Sequence, residues 1–166
     1  MSIRAIYGYR RSGKDTLCNI INDGSDVANP YKSLEGDEYL LMYPGKRIAI
    51  ADNLKKYVST ITGLSVAQIN EGKDTMHYNN KLYRQHLVDH SYDKDWLQIV
   101  LDDIDISEDY IITDLRYRND LDKLAEFCRE TGMTLSIIHI LREDGPPPFE
   151  DEGELDDEEF DLVVKW

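Results

Sequence analysis

The chain has 166 residues, of which 41% are hydrophobic and 31% charged, with 33 acidic and 19 basic side chains. That length can bury one core without metal or disulfide staples, and that hydrophobic content excludes a disordered chain. Residues 143–161 hold 11 of the acidic side chains and no basic one; the remainder has 19 basic against 22 acidic, a net of −3, and so lacks the broad basic surface that nonspecific nucleic-acid binding draws on.

No apolar stretch approaches the ~20 residues of a membrane helix. Met1–Tyr7 leads into Arg10, Arg11 and Lys14 without a signal-peptide pattern. Cys18 and Cys128 lie far apart and form no CxxC pair. The expectation is a cytoplasmic protein in a reduced compartment.

In chain order, five short β-branched runs predict strands at Ile3–Gly8, Arg47–Ala51, Tyr110–Leu115, Leu135–Leu141 and Phe160–Lys165. Several are almost continuously apolar, as strands covered on both faces are. Helical stretches lie between them, at Gly13–Asn22, Asn53–Thr62, Val66–Gly72, Asn79–Asp89, Lys94–Asp103 and Arg118–Thr131. Gly24, Gly63 and Gly132 stand where helices stop. The alternation predicts a single α/β domain over 1–166, with a five-stranded parallel sheet flanked by helices. Gly145-Pro146-Pro147-Pro148 breaks the chain before the acidic segment.

Gly8-Tyr9-Arg10-Arg11-Ser12-Gly13-Lys14-Asp15-Thr16 follows the first predicted strand and opens the first helix. This is the context of a phosphate-binding loop, G-x-x-x-x-G-K-S/T. Its glycines let backbone N–H groups converge on phosphate oxygens, and the helix N-terminus adds partial positive charge. Lys14 would reach the β- and γ-phosphates, with Gly8, Ser12 and Gly13 shaping the cradle. Asp15 stands where Ser or Thr normally ligates Mg²⁺; a carboxylate is a competent hard-oxygen ligand, and Thr16 is then left for the α-phosphate. The bland alternative is a capped turn with a solvated lysine. The loop is not GxGxxG, which fits a dinucleotide-binding dehydrogenase poorly.

The Gly-Lys-Asp-Thr run resembles the phosphate loop of phage-type deoxynucleoside monophosphate kinases and of the related phosphomevalonate kinases. Ala51-Asp52-Asn53-Leu54-Lys55, Tyr83-Arg84 with Trp96, Thr113-Asp114-Leu115-Arg116-Tyr117-Arg118-Asn119-Asp120, Leu141-Arg142 and Glu154…Phe160-Asp161 resemble further segments of that family. The resemblance implies a P-loop kinase that binds ATP and Mg²⁺ and phosphorylates a nucleoside monophosphate. Residues 52–105 would be substrate-side helices and 142–159 an acidic lid-like segment. Lys14, Arg11 and Arg142 would serve the transferring phosphoryl group. Lys55, Arg84, Trp96, Asp114, Arg116 and Asn119 would hold the acceptor. Small-molecule nucleotides would be the partners, with neither nucleic acid nor membrane, and a homodimer is left open. A phage or viral origin, and so a host cytoplasm, follows from the resemblance alone. Two departures leave the acceptor and the base site open: Leu87–Asp95 lacks the family's Gly-Thr-Glu and arginine, and the sequence ends at Trp166, where the family has an Asn-Gly turn and helix.

Bland readings stand beside several of these residues. Asp114 and Arg116 could be a capped turn with a solvated arginine, Arg84 and Lys55 surface cations, and Tyr83, Tyr92 and Trp96 core aromatics. His86 and His90 have zinc spacing on a helix but no evident third ligand, so a polar face is the simpler reading. The acidic stretch reads as a solvated loop and helix. Three rivals to the nucleotide kinase remain: a phosphomevalonate-type kinase, a P-loop regulator without transfer, and a non-catalytic acidic interaction protein.

Overall fold

The computed structural model describes residues 1–24, 31–150 and 152–166. They form two compact units, one of Met1–Ala49 with Ile104–Trp166 and one of Ile50–Asp103.

The first unit is built on a six-stranded sheet of order β2-β8-β7-β1-β6-β3. Its strands are β1 (Ser2–Tyr7), β2 (Ser33–Gly36), β3 (Lys46–Ile48), β6 (Tyr110–Leu115), β7 (Thr134–Leu141) and β8 (Leu162–Lys165). All neighbours pair in parallel except β2, which runs antiparallel to β8. Helices α1 (Lys14–Asp23) and α6 (Arg118–Thr131) accompany this sheet. Ile3, Ala5, Ile6 and Tyr7 on β1 are all buried, as a central strand covered on both faces requires. A core of Ile6, Leu17, Ile21, Ile111, Ile138, Ile140, Leu162 and Val164 joins α1 to the sheet.

The expected five parallel strands are thus joined by a sixth, antiparallel at the edge. Ser33-Leu34-Glu35-Gly36 carries one apolar side chain and is mostly exposed, so it has none of the alternation that marks a half-buried strand. Gly36, at φ 119°, lies so close to β8 that a Cβ there would run into the carbonyl oxygen of Asp161.

The second unit holds α2 (Ala51–Thr62), α3 (Val66–Gly72), the hairpin strands β4 (His77–Tyr78) and β5 (Lys81–Leu82), α4 (Tyr83–His90) and α5 (Trp96–Asp102). Leu54, Val58, Ile69, Tyr83 and Trp96 are its core. Ser65 and Gln68 close α3 with a reciprocal capping box. The helix expected over Asn79–Asp89 begins only at Tyr83. Its first residues are the hairpin's two-residue turn, Asn79-Asn80, at φ 50° and 64°. Positive φ at both turn positions matches the twist of flanking strands, and asparagine tolerates it.

Candidate functional site

Strands β6, β1 and β7 are adjacent and parallel, with Tyr7 in register with Leu115 and His139. The segments leaving their carboxyl ends therefore emerge side by side, where α/β sheets place ligands. From β1 comes Gly8–Thr16, from β6 come Asp114 and Arg116, and from β7 comes Arg142.

Gly8 turns the chain back against β7. A Cβ there would lie 2.6 Å from Ser12 Oγ and 2.7 Å from Ile140 Cγ2, so the tight return admits only glycine. Arg11 and Gly13 have φ of 55° and 96°. Left-handed backbone of this kind turns successive N–H groups toward a common centre. At Lys14 the chain enters α1, whose first-turn N–H groups have no intrahelical acceptor.

The Lys14 amine donates to the carbonyls of Gly8 and Tyr9, each at 2.7 Å, so the loop wraps around it. Burial pushes its pKa down to about 8, and the Arg116 guanidinium pushes the same way; Glu152, Asp114 and Asp15 oppose. Asp114 and Arg116 are therefore within electrostatic reach of the amine. Ser12 is buried in the loop, and its hydroxyl has no partner among the described residues. A buried unpaired hydroxyl and a cradle closed to any Cβ fit a loop shaped for phosphate oxygens.

Asp15 is exposed in the first turn of α1. Its Oδ1 accepts from Arg47 Nε at 3.0 Å and Nη2 at 2.9 Å. The residue expected to hold Mg²⁺ is a carboxylate next to Lys14 in the chain, and it is ion-paired to Arg47 on β3. Thr16 is exposed one residue further on. Arg142 donates from Nε to Asp144 at 2.9 Å and from Nη1 to the Arg11 carbonyl at 3.3 Å, which fixes its guanidinium to the loop. Asn119 is exposed in the first turn of α6.

The acidic segment is largely exposed, as expected from its composition, but its described residues form no helix. Residues 152–161 form turns held by specific contacts. Glu152 Oε1 accepts from the backbone N–H of Arg10 at 2.7 Å, while Oε2 accepts from Phe149 N at 2.9 Å. Arg10 lies over the Phe149 ring, 3.7 Å from its centre. Asp156 accepts from the hydroxyls of Tyr7, at 2.6 Å, and Tyr9. Glu154 accepts from Arg118 N at 3.2 Å, and Glu158 pairs with the Arg118 side chain. Glu152 and Glu154 meet backbone donors, at the Gly8–Thr16 loop and at the start of α6, where a helix end favours negative charge, while Asp156 and Glu158 meet side chains. Leu155, fully buried, anchors the segment between them. Composition shows that the stretch is acidic; it does not show that its carboxylates have assigned partners.

A cavity of about 550 Å³ adjoins the loop, bounded by Ser12, Gly13, Thr16, Lys32, Arg142 and Trp166, among others. Trp166 carried no expected role. Its ring approaches the loop so closely that a Cβ on Gly13 would lie 3.0 Å from Cζ2.

In the second unit, Lys55 is on α2 and Arg84 at the start of α4, both half-buried. Trp96, expected at the acceptor, is only 8% exposed. It packs against Tyr57 at 5.6 Å and donates its indole N–H to Ser91 O at 3.0 Å. Its ring is buried and its polar handle is already used, which leaves little surface for base stacking. His86 Nε2 is 2.7 Å from Tyr78 O, and His90 Nδ1 is 2.7 Å from Asp93.

No protein-family model matches the chain, and neither does any curated protein. Among solved structures it is similar to a putative kinase from Chloroflexus aurantiacus J-10-fl, at 10% identity and a TM-score of 0.46. The match covers 85% of this chain and 59% of that one, so the chain spans about three fifths of that protein's length. No helix among the described residues is long and apolar enough to cross a membrane.

Proposed function

We propose that the chain transfers the γ-phosphate of ATP to a nucleoside or deoxynucleoside monophosphate, giving the diphosphate. The observation that carries this reading is the Lys14 amine enclosed by the Gly8 and Tyr9 carbonyls. It stands at a helix start and at the carboxyl edge of a mostly parallel sheet, with Asp114 and Arg116 in its field.

Phosphoryl transfer needs positioning and charge stabilisation more than covalent help. In the proposed reaction an acceptor phosphate oxygen attacks the γ-phosphorus, the bond to the β–γ bridging oxygen breaks, and ADP leaves with that oxygen's electron pair. The acceptor needs no dedicated base, because a monophosphate's second pKa is about 6. Lys14 and the first-turn N–H groups of α1 hold the β- and γ-phosphates, and Thr16 takes the α-phosphate. Arg11 and Arg142 add charge to the transferring group. Asp114 and Arg116 receive the acceptor. Asp15 would hold Mg²⁺, which would supply positive charge to the phosphate oxygens.

The test is ADP release from Mg·ATP against a panel of ribo- and deoxynucleoside monophosphates plus phosphomevalonate, with Lys14→Met as the blank. Turnover that requires a nucleotide acceptor supports the proposal. Turnover only with phosphomevalonate moves it to a phosphomevalonate-type kinase. Tight ATP binding without turnover makes the chain a nucleotide-binding regulator, and absence of nucleotide binding overturns the reading.

A further inference from the structure

The two tryptophans of the chain are used differently. Trp96 spends its indole N–H on the Ser91 carbonyl, as a core tryptophan does. The Trp166 Nε1 is buried and has no partner among the described residues. A buried donor without a partner is costly, and a ligand acceptor would relieve that cost.

Trp166 also has neighbours on three segments of the chain. Its backbone N–H donates to Leu141 O at 3.0 Å, tying the residue to the end of β7. The Tyr31 ring meets it edge-on, with centroids 5.1 Å apart. Its indole atoms lie 3.0–3.2 Å from the position a Cβ would take on Gly13, so the ring is pressed against the phosphate loop. The cavity that Trp166 shares with Ser12, Gly13 and Thr16 measures about 550 Å³, in the range of small-molecule sites. A ligand whose phosphates occupied the loop would have that cavity beside it. Charged groups surround the space: Lys32 pairs with Glu143 at 2.6 Å, and Arg142 with Asp144 at 2.9 Å.

We propose that Trp166 is the stacking platform for the purine base of the bound nucleoside triphosphate. The base lies on the indole face, and Nε1, whose N–H lies in the ring plane at the edge facing Gly13, donates to the ribose that follows it. This rests on the reading of Gly8–Thr16 as a phosphate site and deepens it.

Two ligands separate the inference from that reading: Mg·ATP, which has a base, and Mg·tripolyphosphate, which has none. By calorimetry, Trp166→Leu is expected to weaken Mg·ATP binding roughly tenfold and leave tripolyphosphate unchanged, while Trp166→Phe retains most of the affinity. In a Trp96→Phe background, Trp166 is the one remaining tryptophan, and Mg·ATP should quench its fluorescence where tripolyphosphate does not. Should that background fail to fold, the calorimetric pair decides alone. Unchanged ATP affinity in Trp166→Leu overturns the inference. So does an equal loss for both ligands, which would make the ring a support for the loop. A wild-type protein that binds neither ligand overturns the phosphate site and this inference together.

Discussion

The carboxylate of Glu152 accepts a hydrogen bond from the backbone N–H of Arg10 at 2.7 Å, across 142 residues of chain. The same carboxylate raises the pKa of Lys14, so its charge is felt at the centre of the Gly8–Thr16 loop. A negatively charged side chain there competes with the negative charge of a phosphate. Glu152→Gln keeps the shape and removes the charge, and should tighten Mg·ATP binding about three- to tenfold, the scale of one charge-assisted hydrogen bond exchanged for a neutral one. Calorimetric titration of the two proteins at the same pH decides it. Equal or weaker binding in the variant would show that the segment supports the loop rather than competing for it.

Lys14 gives a second handle, through pH. Burial and Arg116 hold its pKa at about 8, so in the free protein the amine loses its proton as pH rises through that value. Only the ammonium attracts phosphate. Affinity for Mg·tripolyphosphate should therefore be flat below about 7 and fall as pH climbs beyond about 8, with proton uptake on binding at alkaline pH. Calorimetry in buffers of different ionisation enthalpy measures both. Lys14→Met should bind weakly at every pH; a wild-type affinity independent of pH up to about 9.5 would argue that the amine is not a phosphate contact.

Elements whose signal is local could be read before folding. Val66–Gly72 and Arg118–Thr131 have the bounds expected, because periodicity and the stop at Gly132, φ 76°, lie within the segments themselves. The loop of Gly8–Thr16 between β1 and α1 was legible for the same reason: its glycines, its lysine and the helix start are consecutive. What escaped depends on distant partners or very short elements. Strand β2 is defined by its ladder to β8, with Leu34 opposite Val164, rather than by its own apolar content. The Asn79-Asn80 hairpin has strands of two residues, too short for a period. The places of Glu152 and Trp166 against the loop depend on how the sheet brings the end of the chain to its start.

His139 supplies a pH test of stability. It is 7% exposed, with its ring 4.9 Å from Tyr7 and 4.4 Å from Phe160, and its Nε2 has no partner among the described residues. Burial lowers its pKa below the ordinary 6.5, while the nearby Asp156 opposes the shift. The unfolded chain therefore takes up this proton first. The stability contribution is complete above about 6.5 and is lost as pH falls from there toward the lower folded-state pKa. Urea midpoints should drop between about pH 7.5 and about pH 5 in the wild type, and drop less in His139→Phe, which keeps the aromatic packing without the titration. Parallel slopes would remove His139 from the account.

Arg4 is a fully buried cation on the central strand β1. Its Nη1 donates to Leu40 O and Tyr43 O at 2.7 Å each, and its Nη2 to Pro44 O at 2.9 Å. Its guanidinium carbon lies 3.9 Å from the centre of the Tyr43 ring. Burial lowers its pKa, with Tyr43 and Asp109 opposing, yet a guanidinium starts so high that it stays charged. One side chain thus satisfies three carbonyls of the turn that brings the chain from Leu40 into β3. Arg4→Met fills much of the volume but leaves those acceptors unpaired, and should lower unfolding free energy by about 2–4 kcal/mol in urea titrations. Arg4→Lys keeps a cation without the planar fork and should fall between the two. A methionine variant as stable as the wild type would mean that the turn finds other donors, and that the buried charge is tolerated rather than used.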